Sequence, residues 1–331
     1  MPELEVSVIV PTFNRVQSLR KTLVKLDAQT QPHDRFEVIV VDDGSTDETP
    51  EIEKEHFTFP LRYVRQANQG SAAARNRGAE QSRGEILIFI DDDILAEPEY
   101  IEGLVDEHRR QAKLVGMGSL FTHLNGDVTM FARTFAQTFA PPMNGLESSP
   151  AAFTDCTTNN LSVERQAFFE IGMMQDVAGD GPTWWGDIDF GYRAMRAGYQ
   201  FRRSGRAVCF HDDYSIKNLD AFCRRVKKAA QVSVLLLQKY PELFDHLPML
   251  VDKAPISLGK DPLPLVFDKL FHAVTAWHPV RGSLEHLVEW AESAAPDPRL
   301  LRPLYRWIMS SYIYEGFHLG LREYGWGKAR L

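Results

Sequence analysis

Three acidic residues in a row, Asp91-Asp92-Asp93, follow directly on the apolar run Ile86-Leu87-Ile88-Phe89-Ile90. Adjacent carboxylates repel one another unless a cation sits between them. Hard oxygen donors of this kind suit Mg2+ or Mn2+, with water and phosphate oxygens completing the shell. A D-x-D motif alone is weak, because short acidic turns are common; its weight comes from its company. A second acidic pair, Asp42-Asp43, ends the run Phe36-Glu37-Val38-Ile39-Val40-Val41. A polar set, Thr12-Phe13-Asn14-Arg15, follows the run Val6 to Val10 and its stop at Pro11. In an open parallel sheet, ligands bind beyond the carboxyl ends of the strands, and three such ends here carry polar, mostly acidic groups. Each alone reads as turn or helix-cap chemistry; three on one edge read as a site.

Within Asp42-Asp43-Gly44-Ser45-Thr46-Asp47, Ser45 and Glu48 have the spacing of a capping box that starts the next helix. The carboxylate just before is then free to accept a hydrogen bond from a nucleobase edge, such as N3–H of uracil or thymine. No Gly-x-Gly-x-x-Gly follows the first strand, which excludes a dinucleotide-binding dehydrogenase. A sugar nucleotidyltransferase would need a glycine-rich basic loop at the same place, and Pro11-Thr12-Phe13-Asn14-Arg15 has no glycine.

The elements that must position these residues alternate along the first half of the chain, the pattern of a parallel sheet covered by helices. Strands are expected at 6–10, 36–41 and 86–90, with a weaker one at 61–64. Leu19, Leu23 and Leu26 place a helix over about 17–28, and the Ala- and Arg-rich stretch 71–81 another. Pro98 opens a further helix, and one more follows Asp187. Long loops are expected near 141–150 and 179–186. Beyond about 217 the chain reads as helical: 219–240, 263–277, 283–293 and 299–324. The domains implied are 1–214, with a nucleotide-binding half to about 113 and an acceptor half over about 114–214, and a helical region 215–331.

Composition narrows the class. A hydrophobic share of 44% and a charged share of 25% are ordinary for a globular protein. The net charge of −8 is uneven: 21 Lys and Arg stand against 33 Asp and Glu through residue 214, and 16 against 12 beyond it. An acidic N-terminal part argues against a nucleic-acid binder. Cys156, Cys209 and Cys223 are too few and too irregular for a disulfide framework. No apolar run reaches the roughly 18 residues that span a bilayer, and Met1 to Glu5 lack the start of a signal peptide. A cytoplasmic chain is the expectation.

Taken together and in order, five segments closely resemble family-2 glycosyltransferases of the GT-A fold. They are Pro11-Thr12-Phe13-Asn14-Arg15; Val41-Asp42-Asp43-Gly44-Ser45-Thr46-Asp47; Asn68-Gln69-Gly70-x-x-Ala73-Ala74-Arg75-Asn76-x-Gly78; Phe89-Ile90-Asp91-Asp92-Asp93; and Asp187-Ile188-Asp189-Phe190-x-x-Arg193. The resemblance covers roughly residues 5–240. It implies an α/β fold with a Rossmann-like, mostly parallel sheet flanked by helices and a helical C-terminal extension. It also implies transfer of a sugar from a nucleotide diphosphate donor, most often a UDP-sugar, to an acceptor hydroxyl with inversion. By that resemblance Pro11, Thr12, Phe13, Arg15, Asp42, Asp43, Arg75, Asp91 and Asp92 lie at the donor. Asp91 and Asp93 form the motif for Mn2+ or Mg2+, with Asp93 nearest the ion and His211 able to complete the site. Asp187 is the catalytic base; the Glu that usually precedes it is Gly186 here, which removes an acid that often contacts the acceptor. Asn159-Asn160 and Trp184-Trp185 resemble acceptor-side positions.

Two neighbours of the base have simpler readings. Asp189 suits the N-terminal end of a helix, where the dipole favours an acid, and Arg193 is spaced to pair with it. The aromatic stretch from Leu300 to Tyr324 reads as a helix packed on the catalytic domain or on a second subunit. Its Trp and Tyr content and the positive balance of this half also allow a peripheral membrane contact. Acceptors of this family are sugars, lipid-linked saccharides or proteins, so surface polysaccharide, glycolipid or glycoprotein assembly is the expected setting. The competing reading is a nucleotide-sugar-binding homologue without turnover.

Overall fold

The computed structural model describes residues 4–124, 128–139, 147–178, 184–212, 218–257, 259–294 and 297–325. In chain order the first elements are β1 (Val6–Thr12), α1 (Val16–Asp27), β2 (Phe36–Asp42), β3 (Leu61–Arg65), α2 (Ser71–Gln81) and β4 (Ile86–Ile90). Then come β5 (Ile94–Ala96), α3 (Tyr100–Arg110), β6 (Leu114–Thr122), α4 (Met130–Phe139), β7 (Ser149–Pro150), β8 (Asn160–Glu164), α5 (Arg165–Ile171), α6 (Gly186–Arg196) and β9 (Gln200–His211). The remaining helices are α7 (Leu219–Lys239), α8 (Pro248–Val251), α9 (Leu263–Ala276), α10 (His278–Ala294) and α11 (Pro298–Tyr324). Two compact units result: Met1–His123 with Ala140–Asp212, and Leu124–Phe139 with Asp213–Leu331.

The first unit is an α/β sheet flanked by helices, in the order β3-β2-β1-β4-β8-β6-β9-β5, with β7 beside β9. Strands β1, β2 and β4 are buried at every position, as their unbroken Val and Ile runs require of strands covered on both faces. Pairing is parallel across β3-β2-β1-β4. Antiparallel pairs enter where β8 joins β4 and β6, and where β5 and β7 meet β9, so the sheet is more mixed than its first half suggests.

The register aligns the strand ends that matter. Thr12 lies opposite Asp42, and Ile9 opposite Phe89, so β1, β2 and β4 release their polar ends on one edge. The short strand β5 follows Asp93 and pairs with the end of β9, Ile94 opposite His211. Helix α2 rides close on this sheet: a methyl group at Gly78 would lie 2.4 Å from Ile9 Cγ2. That approach sets the height of Arg75, one turn earlier.

The second unit is helical. Its core gathers Phe131, Cys223, Val288, Leu301, Tyr305 and Ile308. Residues 130–139, placed in the acceptor half by the sequence, pack here because Phe131 and Phe135 find ring partners in Phe222, and Phe131 also in Tyr305. No described helix is long and apolar enough to cross a membrane.

Helix α11 crosses α7 through two glycines. A Cβ at Gly316 would sit 2.0 Å from the Lys227 carbonyl oxygen, and one at Gly320 2.2 Å from that of Gln231. Neither neighbour can yield, since both are backbone. Gly316→Ala and Gly320→Ala should therefore each destabilise the fold by about 1–3 kcal/mol or more, read as a lower melting temperature. Unchanged melting of both variants would mean the helices cross further apart.

Candidate active site

The first strand end is braced before it meets any ligand. Asn14, in the left-handed conformation at φ 54°, accepts through its side-chain oxygen from Thr46 N at 2.7 Å and Asp47 N at 3.3 Å. In return Asn14 N donates to Ser45 Oγ at 2.8 Å. Asp47 accepts from Val16 N at 3.2 Å and Thr49 N at 3.0 Å, so one carboxylate ties the start of α1 to the turn after β2. The expected Ser45/Glu48 capping box does not form: Ser45 Oγ is taken by Asn14, and the following short 3-10 turn begins only at Thr49.

The acidic pair after β2 is likewise engaged. Asp42 is fully buried and accepts from Ser45 N at 2.7 Å and the Tyr63 hydroxyl at 2.6 Å. Asp43 accepts from Gln66 Nε2 (2.8 Å), Gln69 N (2.9 Å) and Gly70 N (2.8 Å). The expectation of a free carboxylate here is thus corrected. Asp43 folds the 66–70 loop onto the strand end, and Gly70 is the N-cap of α2. It thereby places Arg75. With three of its roughly four acceptor sites taken, Asp43 keeps one for a further donor.

Three carboxylates and two guanidiniums meet beyond β4. The Arg75 side chain, buried on α2, donates to Asp91 Oδ1 at 2.5 Å, and its Nε has no protein partner. Asp92 turns inward: it is 3% exposed, accepts from Thr12 Oγ1 at 2.7 Å and faces Arg15 at 2.9 Å. Burial, seconded by Asp93 and Asp91, pushes its pKa up to about 7 against the pull of Arg15 and Thr12. Asp93 is also buried. Burial by itself would raise it, but His211 and Arg15 outweigh that and hold it below the usual range.

Asp93 Oδ2 accepts from Arg15 at 2.7 Å. Its other oxygen, Oδ1, is buried without a well-aligned donor, 3.2 Å from His211 Nε2. The backbone fixes this meeting, with Asp212 N donating to Asp93 O at 2.9 Å. A buried carboxylate oxygen with an imidazole nitrogen 3.2 Å away offers two donors of the kind a divalent cation takes. Among the described residues no three side chains form a ready metal cage. Two protein donors suffice for Mg2+ or Mn2+ when phosphate oxygens and water supply the rest.

Asp187 enters from α6. Trp185, left-handed at φ 63°, turns the chain into the helix, and Asp187 Oδ1 accepts from Ile188 N at 2.9 Å. Its pKa is raised, first by desolvation and also by Asp91, against the pull of the Ile188 N–H and Arg75. Asp187 therefore shares the field of the Arg75–Asp91 pair. Asp189 is structural, as its helix position suggested: fully buried, it takes Arg193 Nε at 2.8 Å. Arg193 in turn donates to the carbonyls of Ile171 at 2.5 Å and Met173 at 2.7 Å, clamping α5 to α6.

Other sequence candidates fall on both sides. Phe13 is 44% exposed at the strand end, whereas Pro11 is buried inside β1 opposite Val41 and offers at most its backbone. Trp184 and Trp185 are half-buried, and Trp184 Nε1 has no protein partner. Most of the expected loops at 141–150 and 179–186 lies outside the described residues. Asn160 is corrected. It is 2% exposed, takes the Tyr100 hydroxyl at 2.7 Å and Gly118 N at 3.0 Å, and donates to Gly118 O at 2.8 Å. It joins β8 to β6 at the irregularity between Met117 and Ser119 and has no side to show an acceptor. Asn160→Ala should cost about 1–3 kcal/mol through unsatisfied groups while leaving the rate per folded molecule unchanged. A selective loss of acceptor affinity, with melting unaltered, would return Asn160 to the site.

Sequence reasoning missed the supports: Tyr63 on Asp42, Gln66 on Asp43, and Lys21 on α1, which reaches the buried Asp212 at 3.0 Å. Only the fold brings these together; nothing local in the sequence marks them.

With this geometry in view, comparison places the chain. The model of the Glycosyl transferase family 2 matches residues 7–168. Over those residues, just under half of its length, the chain resembles glycosyl transferase family 2. It is 33% identical over 199 residues to Glycosyltransferase AglE of Haloferax volcanii, covering 59% of this chain and 62% of that one. It is 26% identical over 175 residues to the glucosyl-dolichyl phosphate glucuronosyltransferase of the same organism, covering 51% and 55%. The chain thus spans less than two thirds of either relative. The fold is similar to that of mannosyltransferase PcManGT from Pyrobaculum calidifontis, solved in complex with GDP-Man and Mn2+, with a TM-score of 0.60 at 21% identity over 96% of this chain and 87% of that one. A fold of GT-A type accounts for the architecture.

Proposed function

We propose that this chain transfers a sugar from a nucleotide diphosphate donor to an acceptor hydroxyl, with inversion and with help from Mn2+ or Mg2+. The observation that carries the reading is the buried Asp93 carboxylate set 3.2 Å from His211 on the edge where Arg75, Asp91 and Asp187 share one field. A divalent ion there would offset the charge developing on the departing diphosphate. Asp93 and His211 are its protein ligands in this reading, with Asp91 close by.

The other residues divide the work. Phe13 and the remaining acceptor site of Asp43 face the nucleoside, and Arg75 and Arg15 meet the phosphates. Asp92 holds Thr12 and Arg15 in place. Asp187 takes the proton of the acceptor hydroxyl as that oxygen attacks the anomeric carbon from the face opposite the leaving group, which inverts the configuration. A raised pKa suits a general base, because the proton it takes is then held more firmly. Trp184 and Trp185 remain candidates to receive the acceptor sugar.

The donor base stays between uridine, the family's commonest, and guanosine, the one bound by the Pyrobaculum enzyme. A lipid-linked acceptor is favoured by the dolichyl phosphate relative, and it sets the reaction at the cytoplasmic face of a membrane. The test is a thermal-shift screen of UDP, GDP, dTDP and CDP with Mn2+ or with EDTA. One nucleotide should raise the melting temperature, since a ligand at a hundred times its dissociation constant stabilises by about 2.7 kcal/mol, and EDTA should remove the shift. No shift with any nucleotide would count against the donor site.

A further inference from the structure

Helix α9 presents its apolar side to solvent and its polar side to the protein. Leu263, Phe267, Leu270, Phe271 and Val274, with Trp277 just beyond, are between 42% and 74% exposed. Their spacing places them along one stripe. The buried side instead carries Lys269, His272 and Thr275. Lys269 is held by Asp261 at 2.7 Å and His272 by Asp252 at 3.0 Å, so these two polar contacts fix the helix with its oily side outward. An ordinary surface helix has the reverse arrangement, and a contiguous exposed apolar patch marks a surface that meets something.

The patch continues onto α11, where the Phe271 and Trp307 rings meet at 5.8 Å and Leu300 is 60% exposed. Beside it run Arg299, Arg302 and Arg306, spaced i, i+3, i+7 and exposed. None of the three makes an ion pair among the described residues, whereas Arg281 and Lys227 are both taken by Glu315. Asp268 is the only acid on α9.

We infer that this face of α9 and α11 docks onto an anionic lipid bilayer, which deepens the membrane location proposed above by naming the surface. The charges select the occupant. A second copy meeting the same patch by two-fold symmetry would bring six arginines together with only two acids from α9 to answer them. Lipid phosphates answer each arginine, and the aromatic and aliphatic stripe enters the headgroup–acyl boundary. At 14 residues the helix is about 21 Å long, too short to span, so it lies in the plane of the interface.

The test is co-sedimentation of the full chain with phosphatidylcholine vesicles, with and without phosphatidylglycerol, read together with tryptophan emission. Binding to the anionic vesicles and a blue shift are expected. Phe267→Ser with Leu270→Ser should weaken partitioning by at least about tenfold, and each of Arg299→Gln, Arg302→Gln and Arg306→Gln by about fivefold. Melting should not change, since these side chains are exposed. Absence of binding to anionic vesicles, or equal binding by wild type and variants, would overturn the inference. So would a dimer seen by ultracentrifugation that the Phe267→Ser, Leu270→Ser variant abolishes. Nucleotide binding is measured on the same samples; if it persists while vesicle binding fails, only the docking surface is lost.

Discussion

Asp187→Asn should slow sugar transfer by about 10²–10⁴-fold, the usual contribution of a positioned general base, while nucleotide binding stays intact. The same change should not lower the melting temperature at neutral pH. The sign follows from linkage: a carboxyl group whose pKa is raised by folding favours the folded state in its protonated form and opposes it once ionised. Desolvation raises Asp187 in this way. Stability from this group is therefore present at low pH and is lost as the pH rises through the folded-state value, and Asn at this position carries no charge to desolvate. The rate should show the complement. Wild-type kcat/KM should climb with pH along a limb above the ordinary carboxylate range, and that limb should vanish in Asp187→Asn. A variant that keeps its rate, or one that loses rate and melting temperature together, would remove Asp187 from proton transfer.

Asp93→Ala should abolish the dependence of nucleotide binding on Mn2+. It deletes the buried carboxylate beside His211 and one of the two partners of Arg15. Changes to residues that merely orient metal ligands cost 10–100-fold in metal affinity, so loss of a ligand should cost at least about 100-fold by calorimetry. Residual nucleotide binding should then be the same with Mn2+ or EDTA. His211→Ala should act in the same direction. Wild-type Mn2+ dependence in Asp93→Ala would show that the ion, if it binds, binds elsewhere.

The strand ends were legible because β1, β2 and β4 are unbroken apolar runs that stop at polar residues, and parallel pairing then brings those stops to one edge. The Asp189–Arg193 pair was legible because helical spacing alone creates it. Asn160 misled because its strand register and the irregularity at Gly118 turn the amide into the core, and neither leaves a trace in local sequence. Asp43 read as free because its partners, Gln66, Gln69 and Gly70, lie more than twenty residues on. For α9 the sequence showed a helix over 263–277 without showing which side faces the protein. That side was settled by Asp252 and Asp261, which give buried His272 and Lys269 their polar partners. The exposed aromatic surface therefore lies chiefly on α9, while much of α11, including Tyr305, Ile308 and Phe317, is buried.

The central claim is turnover of a nucleotide sugar at the Asp91–Asp93 edge. It is tested most directly by measuring nucleoside diphosphate release from UDP-, GDP- and dTDP-sugars, with Mn2+ and with EDTA, by wild type and Asp187→Asn. Metal-dependent release from one donor class by wild type, strongly reduced in the variant, is the expected result. A nucleotide that binds tightly while no donor is ever cleaved, even with saccharide and lipid-linked acceptors supplied, would contradict it and mark the chain as a binding homologue.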